Sequence, residues 1–356
     1  MLSIYAGNNA LEKLSDEGFH PGLFHTVLGA SGGPKWFVLA GIDRVMVTEF
    51  LDKSAQKIDF IGSSAGAFRF GCLTQKDPVN AINLLAKHYS ETVYSDKPTV
   101  KEISDKAELL INTILPQDKV QEVLDNPRYK ANFIVARCRG LTVHENKLLQ
   151  NTGLLMSAVA NACSRKLLGA FFERVIFSVD ERHLPLDDPY NLPTAKIKLS
   201  ANNMIDALLA SGAIPGVLRG INEITGAPKG MYRDGGVTDY HFDLGLPNKD
   251  GLVLYPHFFS RPAPGWFDKM ISWRRPHKSS YDDVVMVVPS DDFIQGLPYC
   301  KIPDRHDFVN MSPEQRLPYW RTVLSESDRL GEAFLALQSK ETLLKSLKPL
   351  PFALAN

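Results

Sequence analysis

The chain has 356 residues, of which 44% are hydrophobic and 22% charged, an ordinary globular composition with enough length for one large domain or two smaller ones. Forty Lys and Arg residues balance forty Asp and Glu residues, so no overall field favours nucleic acid and no nucleic-acid partner is expected. The four cysteines, Cys72, Cys138, Cys163 and Cys300, lie far apart without a CxxC pair, which argues against a zinc site or a disulfide framework and predicts reduced core thiols.

The N-terminal segment has neither a basic start nor a continuous apolar stretch, and no later apolar run approaches the length of a membrane span. We therefore expect a soluble, cytoplasmic protein. The sequence calls for no metal and no cofactor.

Short apolar, β-branched runs alternate with longer helical patterns along the chain. Such runs predict buried strands. They lie at residues 25–30, 57–62, 131–138, 173–179, 251–256 and 283–289. Helical patterns at 34–51, with Pro34 fit for a first turn, and at 65–74 separate the first strands. The alternation predicts an α/β fold with a mainly parallel sheet covered on both faces.

Residues 77–127 have a wholly helical pattern and predict an inserted helical layer. Further on, Ser312 to Gln315 match a capping box with proline at the first helical position, which predicts a helix from about Tyr319 to Gln338. We expect a core domain at residues 1–256 that contains the insertion, and a C-terminal extension at 257–356 packed on the same domain.

A glycine-rich loop, GASGGPKW at residues 29–36, stands between the first predicted strand and helix. It is close to the phosphate-binding pattern GxxxxGK[ST], but Pro34 replaces the second glycine and Trp36 replaces the metal-binding Ser or Thr. Proline has no N–H donor and indole is no magnesium ligand, so a nucleotide site is not supported.

The pattern GxSxG occurs twice, around Ser31 and around Ser64. In a nucleophile elbow the serine needs small neighbours, because it occupies a strained turn between a strand and a helix. Ser64 follows a convincing strand and precedes a helix with small residues, whereas Gly32 and Gly33 offer successive backbone N–H groups at a helix start. This context predicts that Ser64 is the nucleophile and that the loop at 31–35 stabilises an oxyanion.

A third segment, Asp234-Gly-Gly236, places an aspartate before two glycines. In isolation this tripeptide is a common turn. It gains weight only from the two segments that precede it in the chain.

Taken together and in this order, SGGPK at 31–35, GSSAG at 62–66 and DGG at 234–236 resemble the patatin-like phospholipases. Thirty-two residues separate Gly32 from Ser64, in agreement with that family's spacing. Ala210 to Pro215 also resemble the family's small-residue segment ahead of the DGG. The likeness covers about residues 22–256.

The resemblance implies a patatin-like three-layer α/β/α sandwich and a serine acyl hydrolase, a lipid acyl hydrolase or phospholipase-like esterase. It implies that Ser64 is the nucleophile, that Asp234 is the base, that Gly32 and Gly33 form the oxyanion hole, and that Lys35 stands at the family's basic, substrate-binding position. Its implied partner is a lipid or another acyl ester. The sequence departs from the family at Ser31, at Trp36 and after the DGG, which leaves the shape of the substrate open.

Two alternatives remain from the residues. One is an α/β-hydrolase-type esterase with a Ser-Asp-His triad, for which the histidines after Asp234 are eligible. These are His241, His257, His277 and His306, and His257 is the best because it follows a strand. The other is a catalytically silent binding protein with the same fold, since fold does not fix function.

The segment from Trp266 to Lys278 interleaves aromatic with basic residues. It predicts either a transient contact with a membrane surface or an amphipathic helix that packs its Trp, Met and Ile side chains inward.

Overall fold

The computed structural model describes residues 1–180, 184, 186–247 and 251–355. Its strands are β1 (Leu2–Ala6), β2 (Phe24–Gly29), β3 (Ile58–Ser63), β4 (Tyr129–Cys138), β5 (Phe172–Ser178), β6 (Thr194–Lys198), β7 (Ile221–Asn222), β8 (Met231–Asp234), β9 (Leu252–Pro256), β10 (Val284–Pro289) and β11 (Leu347–Pro349).

The helices are α1 (Asn8–Glu17), α2 (Ala40–Val45), α3 (Ala65–Leu73), α4 (Pro78–Ser90), α5 (Val100–Ile114), α6 (Gln117–Leu124), α7 (Lys147–Cys163), α8 (Met204–Ser211), α9 (Lys278–Tyr281), α10 (Asp291–Gln295), α11 (Asp307–Asn310), α12 (Pro313–Ala336) and α13 (Lys340–Ser346). Short 3-10 helices include Gly33–Leu39, Arg165–Ala170, Gly235–Val237 and Trp266–Met270.

The strands form one mixed sheet in the order β11-β1-β10-β9-β2-β3-β4-β5-β6. Most neighbours are parallel, and the antiparallel pairs on this path are β1 with β10 and β4 with β5. Helices flank the sheet, so the predicted α/β class with a mainly parallel central sheet is confirmed. Strand β10, from the C-terminal part of the chain, lies between β1 and β9 inside this sheet.

All six predicted strands are present. Strands such as β9 and β10 are buried along their whole length, as strands covered on both faces of a parallel sheet must be. The sequence did not predict β1, the edge strands β6 and β11, or the short hairpin of β7 and β8.

The predicted helices are also found, with two corrections. The helical stretch at 77–127 is not continuous, since residues 91–99 separate α4 from α5. Helix α12 begins at Pro313, directly after the Ser312 cap, and not near Tyr319. Two of the cysteines, Cys72 and Cys138, are buried as predicted, whereas Cys163 and Cys300 are exposed. Within the described ranges, no helix is both long and apolar enough to cross a bilayer.

One edge of β4 carries two different strands in succession. Strand β3 runs parallel to β4 and pairs Ser63 with Ile134, whereas β8 runs antiparallel and pairs Asp234 with Val135. Because the two strands point toward each other along the same edge, their C-terminal ends meet. The residues that follow β3 and end β8 are thus brought together.

Candidate active site

Ser64 occupies the sharp turn between β3 and α3. Its backbone has φ 54° and ψ −121°, a region that is costly for a residue with a Cβ atom and is found mainly where the surroundings enforce it. Its N–H donates to Ser211 Oγ at 2.9 Å, and the Ser211 hydroxyl donates to the Ile134 carbonyl at 2.7 Å. Ser211 therefore fastens the turn to the neighbouring strand β4.

The small residues of this turn are needed because α3 begins very close to the sheet. A Cβ atom on Gly66 would lie 1.9 Å from the carbonyl oxygen of Gly29 at the end of β2. No rotation of a side chain could relieve that contact, since the backbone fixes both the position of a Cβ atom and that of the carbonyl oxygen. The GxSxG pattern around Ser64 thus has the structural role that the sequence predicted for it.

Asp234 is placed against Ser64 by the meeting of β3 and β8. The Ser64 hydroxyl donates to Asp234 Oδ2 at 2.8 Å, and both residues are buried. The other carboxylate oxygen, Oδ1, accepts the N–H of Gly236 at 2.7 Å. Both oxygens are held, so the carboxylate keeps one orientation toward the serine.

Burial raises the pKa of Asp234 to about 6. The hydrogen bonds from Ser64 and Gly236 oppose this rise, as do the positive charges of Arg305 and Lys269. A carboxylate with a pKa near 6 is a stronger base than an aspartate in water and is still ionised at neutral pH.

The glycine-rich loop lies beside this pair of residues. Ser31 donates its hydroxyl to Ser63 Oγ at 3.0 Å and its N–H to the Tyr240 carbonyl at 2.9 Å. By contrast, the N–H groups of Gly32 and Gly33 have no acceptor among the described residues, and both glycines line the same cavity as Ser64. They are the loop donors that remain available to a ligand.

The cavity has a volume of about 180 Å³ and contains Ser64 and Asp234 in its lining. Much of its remaining surface is apolar and comes from α3, α5, α8 and the segment after α8. These apolar residues are Phe68, Ile103, Leu110, Leu209, Ile214 and Leu218. An acyl chain next to the serine would be in contact with hydrocarbon.

Cationic side chains line the cavity as well. One of them is Lys35, which the family resemblance put at a substrate-binding position, and burial lowers the pKa of its amine. The sequence did not indicate Lys106, Lys269 or Arg305, which also line the cavity. No local pattern could have found these residues, because they come from segments far apart in the sequence. Ser211 was also missed as a support of the elbow, although it lies in the small-residue segment at 210–215.

The structure does not bring the predicted triad histidines to Ser64. His257 is buried and accepts the N–H of Phe259 at 2.9 Å, and burial lowers its pKa to about 3. His241 accepts the N–H of Ala263, and His277 caps α9. Among the described histidines, His306 is the one that lines the cavity. It is exposed, and its ring lies 3.5 Å from the Asp304 carboxylate.

The segment from Trp266 to Lys278 is not the inward-packed amphipathic helix of one interpretation. It contains the short 3-10 helix Trp266–Met270, after which the chain is irregular as far as α9. Trp266 lines the cavity, but Met270 and Trp273 are 92% and 69% exposed. That interpretation is wrong because only part of the apolar surface of the segment is buried.

Comparison with known proteins adds little to this picture. No family model matches the sequence, and no curated protein matches it either. Among solved structures, VipD from Legionella pneumophila is similar over 65% of this chain and 50% of its own chain, with 11% sequence identity and a TM-score of 0.29. The chain thus spans half the length of VipD, and a likeness at this level carries no inference about activity.

Proposed function

We propose that the protein is a serine acyl hydrolase of the patatin-like type, with Ser64 as nucleophile and Asp234 as general base. The observation that carries the proposal is the 2.8 Å hydrogen bond from the Ser64 hydroxyl, on its strained turn, to the buried Asp234 carboxylate. A serine becomes a nucleophile when an adjacent base takes its proton during attack.

The reaction follows from these positions. Ser64 Oγ bonds to the carbonyl carbon of an ester while its proton moves to Asp234 Oδ2. The tetrahedral intermediate then expels the alcohol, which takes the proton from Asp234, and leaves an acyl group on Ser64. Water attacks the acyl-enzyme with Asp234 again as base, and the carboxylic acid is released.

The oxyanion of each intermediate needs hydrogen-bond donors. The N–H groups of Gly32 and Gly33 support this role, because they line the cavity and have no acceptor in the described parts of the protein. Removal of such a donor typically raises the barrier by about 3–4 kcal/mol.

The apolar lining favours a lipid or another ester with a hydrocarbon acyl chain. A water-soluble series of p-nitrophenyl esters with graded acyl chains tests this substrate class. We expect hydrolysis by wild type to depend on chain length and to be abolished in Ser64→Ala.

A fluorophosphonate probe tests the nucleophile directly. Wild type should gain the mass of one phosphonyl group, and Ser64→Ala should gain none. The matched variant is Ser31→Ala, which removes the serine of the other GxSxG pattern and should still form the adduct. An unlabelled wild type would instead favour a catalytically silent binding protein.

The alternative triad has its own test. His257→Ala should retain most activity if the Ser-Asp pair is sufficient, because His257 does not line the cavity. Loss of activity in a variant that remains folded would favour the triad.

We further propose that the protein makes transient contact with a lipid surface. Helix α7 exposes an apolar stripe, with Leu148 and Leu155 75% and 66% exposed and Met156 and Val159 also exposed. From Lys147 to Phe172 the sequence contains no Asp or Glu. An apolar face on a segment that carries the exposed Lys147 and Lys166 and no acidic residue of its own suits an anionic membrane surface.

This stripe is fixed to the segment that reaches the cavity. The buried carboxylate of Asp268 accepts hydrogen bonds from Asn161 of α7 at 2.7 Å and from Arg165 at 2.6 Å. Asp268 lies between Trp266, in the cavity lining, and the exposed Met270 and Trp273. A lipid surface held by α7 would therefore be near residues that line the cavity.

A further inference from the structure

Four cationic side chains line the cavity that contains Ser64 and Asp234, and one of them, Lys106 of α5, pairs with Glu102 at 3.4 Å. The other three come from separate segments. Lys35 belongs to the 3-10 helix after β2, Lys269 to the 3-10 helix Trp266–Met270, and Arg305 to the loop before α11. These segments are far apart in the sequence, so the cluster exists only in the folded protein.

None of the three cations forms an ion pair within the described residues, although acidic residues are near. Asp307 pairs with Lys301, and Asp304 lies 3.9 Å from Lys301 and 3.5 Å from His306. The Lys269 ammonium lies 3.6 Å from the centroid of the Tyr240 ring. An aromatic face attracts a cation, but it does not neutralise the charge.

Each of these cations also makes the charged form of the others less favourable. Burial and the nearby charges of Arg305 and Lys35 lower the pKa of Lys269 to about 7. Burial lowers the pKa of Lys35 against the opposing charges of Asp304 and Asp307, and Arg305 adds to the lowering. Among the described residues that line the cavity, Asp234 carries the one carboxylate, and it partly offsets the charge of Lys269. One carboxylate does not balance three like charges in a partly desolvated cavity, so an anion bound among the cations would relieve the remaining repulsion.

We propose that Lys269 and Arg305, together with Lys35, form a binding site for an acidic group, a phosphate or a carboxylate, on the substrate of Ser64. The inference rests on the proposed acyl hydrolase function and specifies its substrate class as an acyl ester that carries a negative charge. The ester carbonyl lies at Ser64, the hydrocarbon chain contacts the apolar lining, and the acidic group contacts the cations.

The proposed site must be distinguished from a second role that the same cations could have. They could act on the oxyanion instead of the substrate's acidic group, in which case their removal would slow neutral and acidic esters equally. A site for an acidic group acts in binding and affects acidic ligands selectively. The two roles therefore differ in selectivity.

Binding is measured first, by calorimetric titration of wild type with hexyl phosphate, hexanoate and the neutral hexyl glucoside. At least one of the two acidic probes should bind about tenfold or more tightly than the glucoside, and the tighter of the two identifies phosphate or carboxylate. Arg305→Gln and Lys269→Gln should each weaken binding of that probe about tenfold, the order expected for loss of one charge-assisted hydrogen bond.

The matched control is Arg321→Gln. Arg321 is an exposed residue of α12 that pairs with Glu91 at 3.1 Å and does not line the cavity. Its replacement removes the same unit of charge and should leave the binding of all three probes unchanged. Equal binding of acidic and neutral probes to wild type, or an equal effect of Arg321→Gln and Arg305→Gln, would overturn the proposal.

Kinetics then separate this inference from the function on which it rests. Butyrate esters of ethylene glycol and of its monophosphate or carboxymethyl ether share one acyl group. Arg305→Gln should lower the acidic-to-neutral ratio of kcat/KM about tenfold, mainly through KM. An unchanged ratio contradicts the acidic-group site, whereas absence of any Ser64-dependent hydrolysis, with selective anion binding retained, contradicts only the hydrolase function.

Discussion

Ser63 and Asp234 pair with consecutive residues of β4, Ile134 and Val135, although β3 and β8 approach them from opposite directions. The position of Ser64 relative to Asp234 is therefore set by the register of two strands on one edge. A change that separates these strand ends by a fraction of an ångström should act directly on the hydrogen bond between Ser64 and Asp234.

Gly235→Ala tests this dependence. A Cβ atom at Gly235 would lie 2.1 Å from the Ile134 carbonyl oxygen and 2.8 Å from Ser63 Oγ, so the end of β8 must move away from β4. We expect a loss of about 1–3 kcal/mol in the free energy of unfolding and a fall in kcat of about a hundredfold. Chemical denaturation and ester hydrolysis measure the two effects.

The control for this variant is Gly71→Ala in α3, where the new methyl group would make an ordinary contact with Leu208 at 3.5 Å. It should leave activity intact and raise the free energy of unfolding by up to about 1 kcal/mol, since alanine favours a helix. Normal activity in Gly235→Ala would show that the strand register does not limit the reaction.

Asp234→Asn should abolish activity and stabilise the fold. Burial raises the pKa of this carboxyl from 3.8 to about 6, so the folded protein resists its ionisation above pH 6. The destabilisation, up to about 3 kcal/mol, is fully present above that pH and disappears as the pH falls through the unfolded value. Thermal unfolding should therefore show that Asp234→Asn is more stable than wild type at neutral pH and equally stable near pH 3.5. A loss of stability in Asp234→Asn at neutral pH would contradict the assignment of an ionised, unfavourably buried carboxylate.

The pH dependence of kcat/KM should differ between neutral and acidic esters. For both, the rate rises through about pH 6 as Asp234 loses its proton and becomes a base. For acidic esters alone it should fall above about pH 7, because Lys269, beside Arg305, Lys35, Asp234 and Tyr240, loses its charge there. Profiles from about pH 4.5 to 9 measure both limbs.

Lys269→Arg is the control for the upper limb, since a guanidinium keeps its proton over this range. It should remove the fall above pH 7 for acidic esters and leave the rise through pH 6 in place. Identical profiles for neutral and acidic esters in wild type would show that the charge of Lys269 does not contribute to recognition.

The strands that the sequence predicted have residues buried on both faces, as in β9 and β10. Such strands leave continuous apolar runs. Edge strand β6 alternates between exposed and half-buried residues, and β8 has four residues, so neither leaves a run of that kind. The strand that ends at Asp234 was thus missed, although the Asp-Gly-Gly motif identified the residue itself.

The motifs around Ser64 and Asp234 could be found because a strained turn and a close strand approach require small residues at fixed positions. Lys269 and Arg305 could not be found in this way. Their neighbours place no such restriction on the local sequence, and their shared location depends on packing between distant segments. The sequence therefore indicated the proposed serine and aspartate more completely than the proposed acidic-group site.

Contact with a lipid surface depends on apolar side chains that the folded protein leaves exposed. A variant with Leu155→Ser, Val159→Ser and Trp273→Ala removes three of them from α7 and from the segment after Met270. Each fully buried large apolar side chain is worth about 1.5–3 kcal/mol, so partial insertion of three should make co-sedimentation with vesicles containing anionic lipid fall at least tenfold. Hydrolysis of water-soluble esters should persist, because none of the three residues lines the cavity.

The control variant is Leu344→Ser. Leu344 is half exposed on α13, and this helix packs beside β1, on the opposite side of the sheet from β4 in the strand order. It should sediment with vesicles as wild type does. If the triple variant also matched wild type, α7 would not be the lipid-binding face. If wild type formed dimers that the triple variant lost, without binding vesicles, a second copy of the chain would cover the stripe instead. The exposed Lys147 and Lys166 on the segment of the stripe argue for the lipid, since a symmetric dimer through this face would place like charges opposite each other.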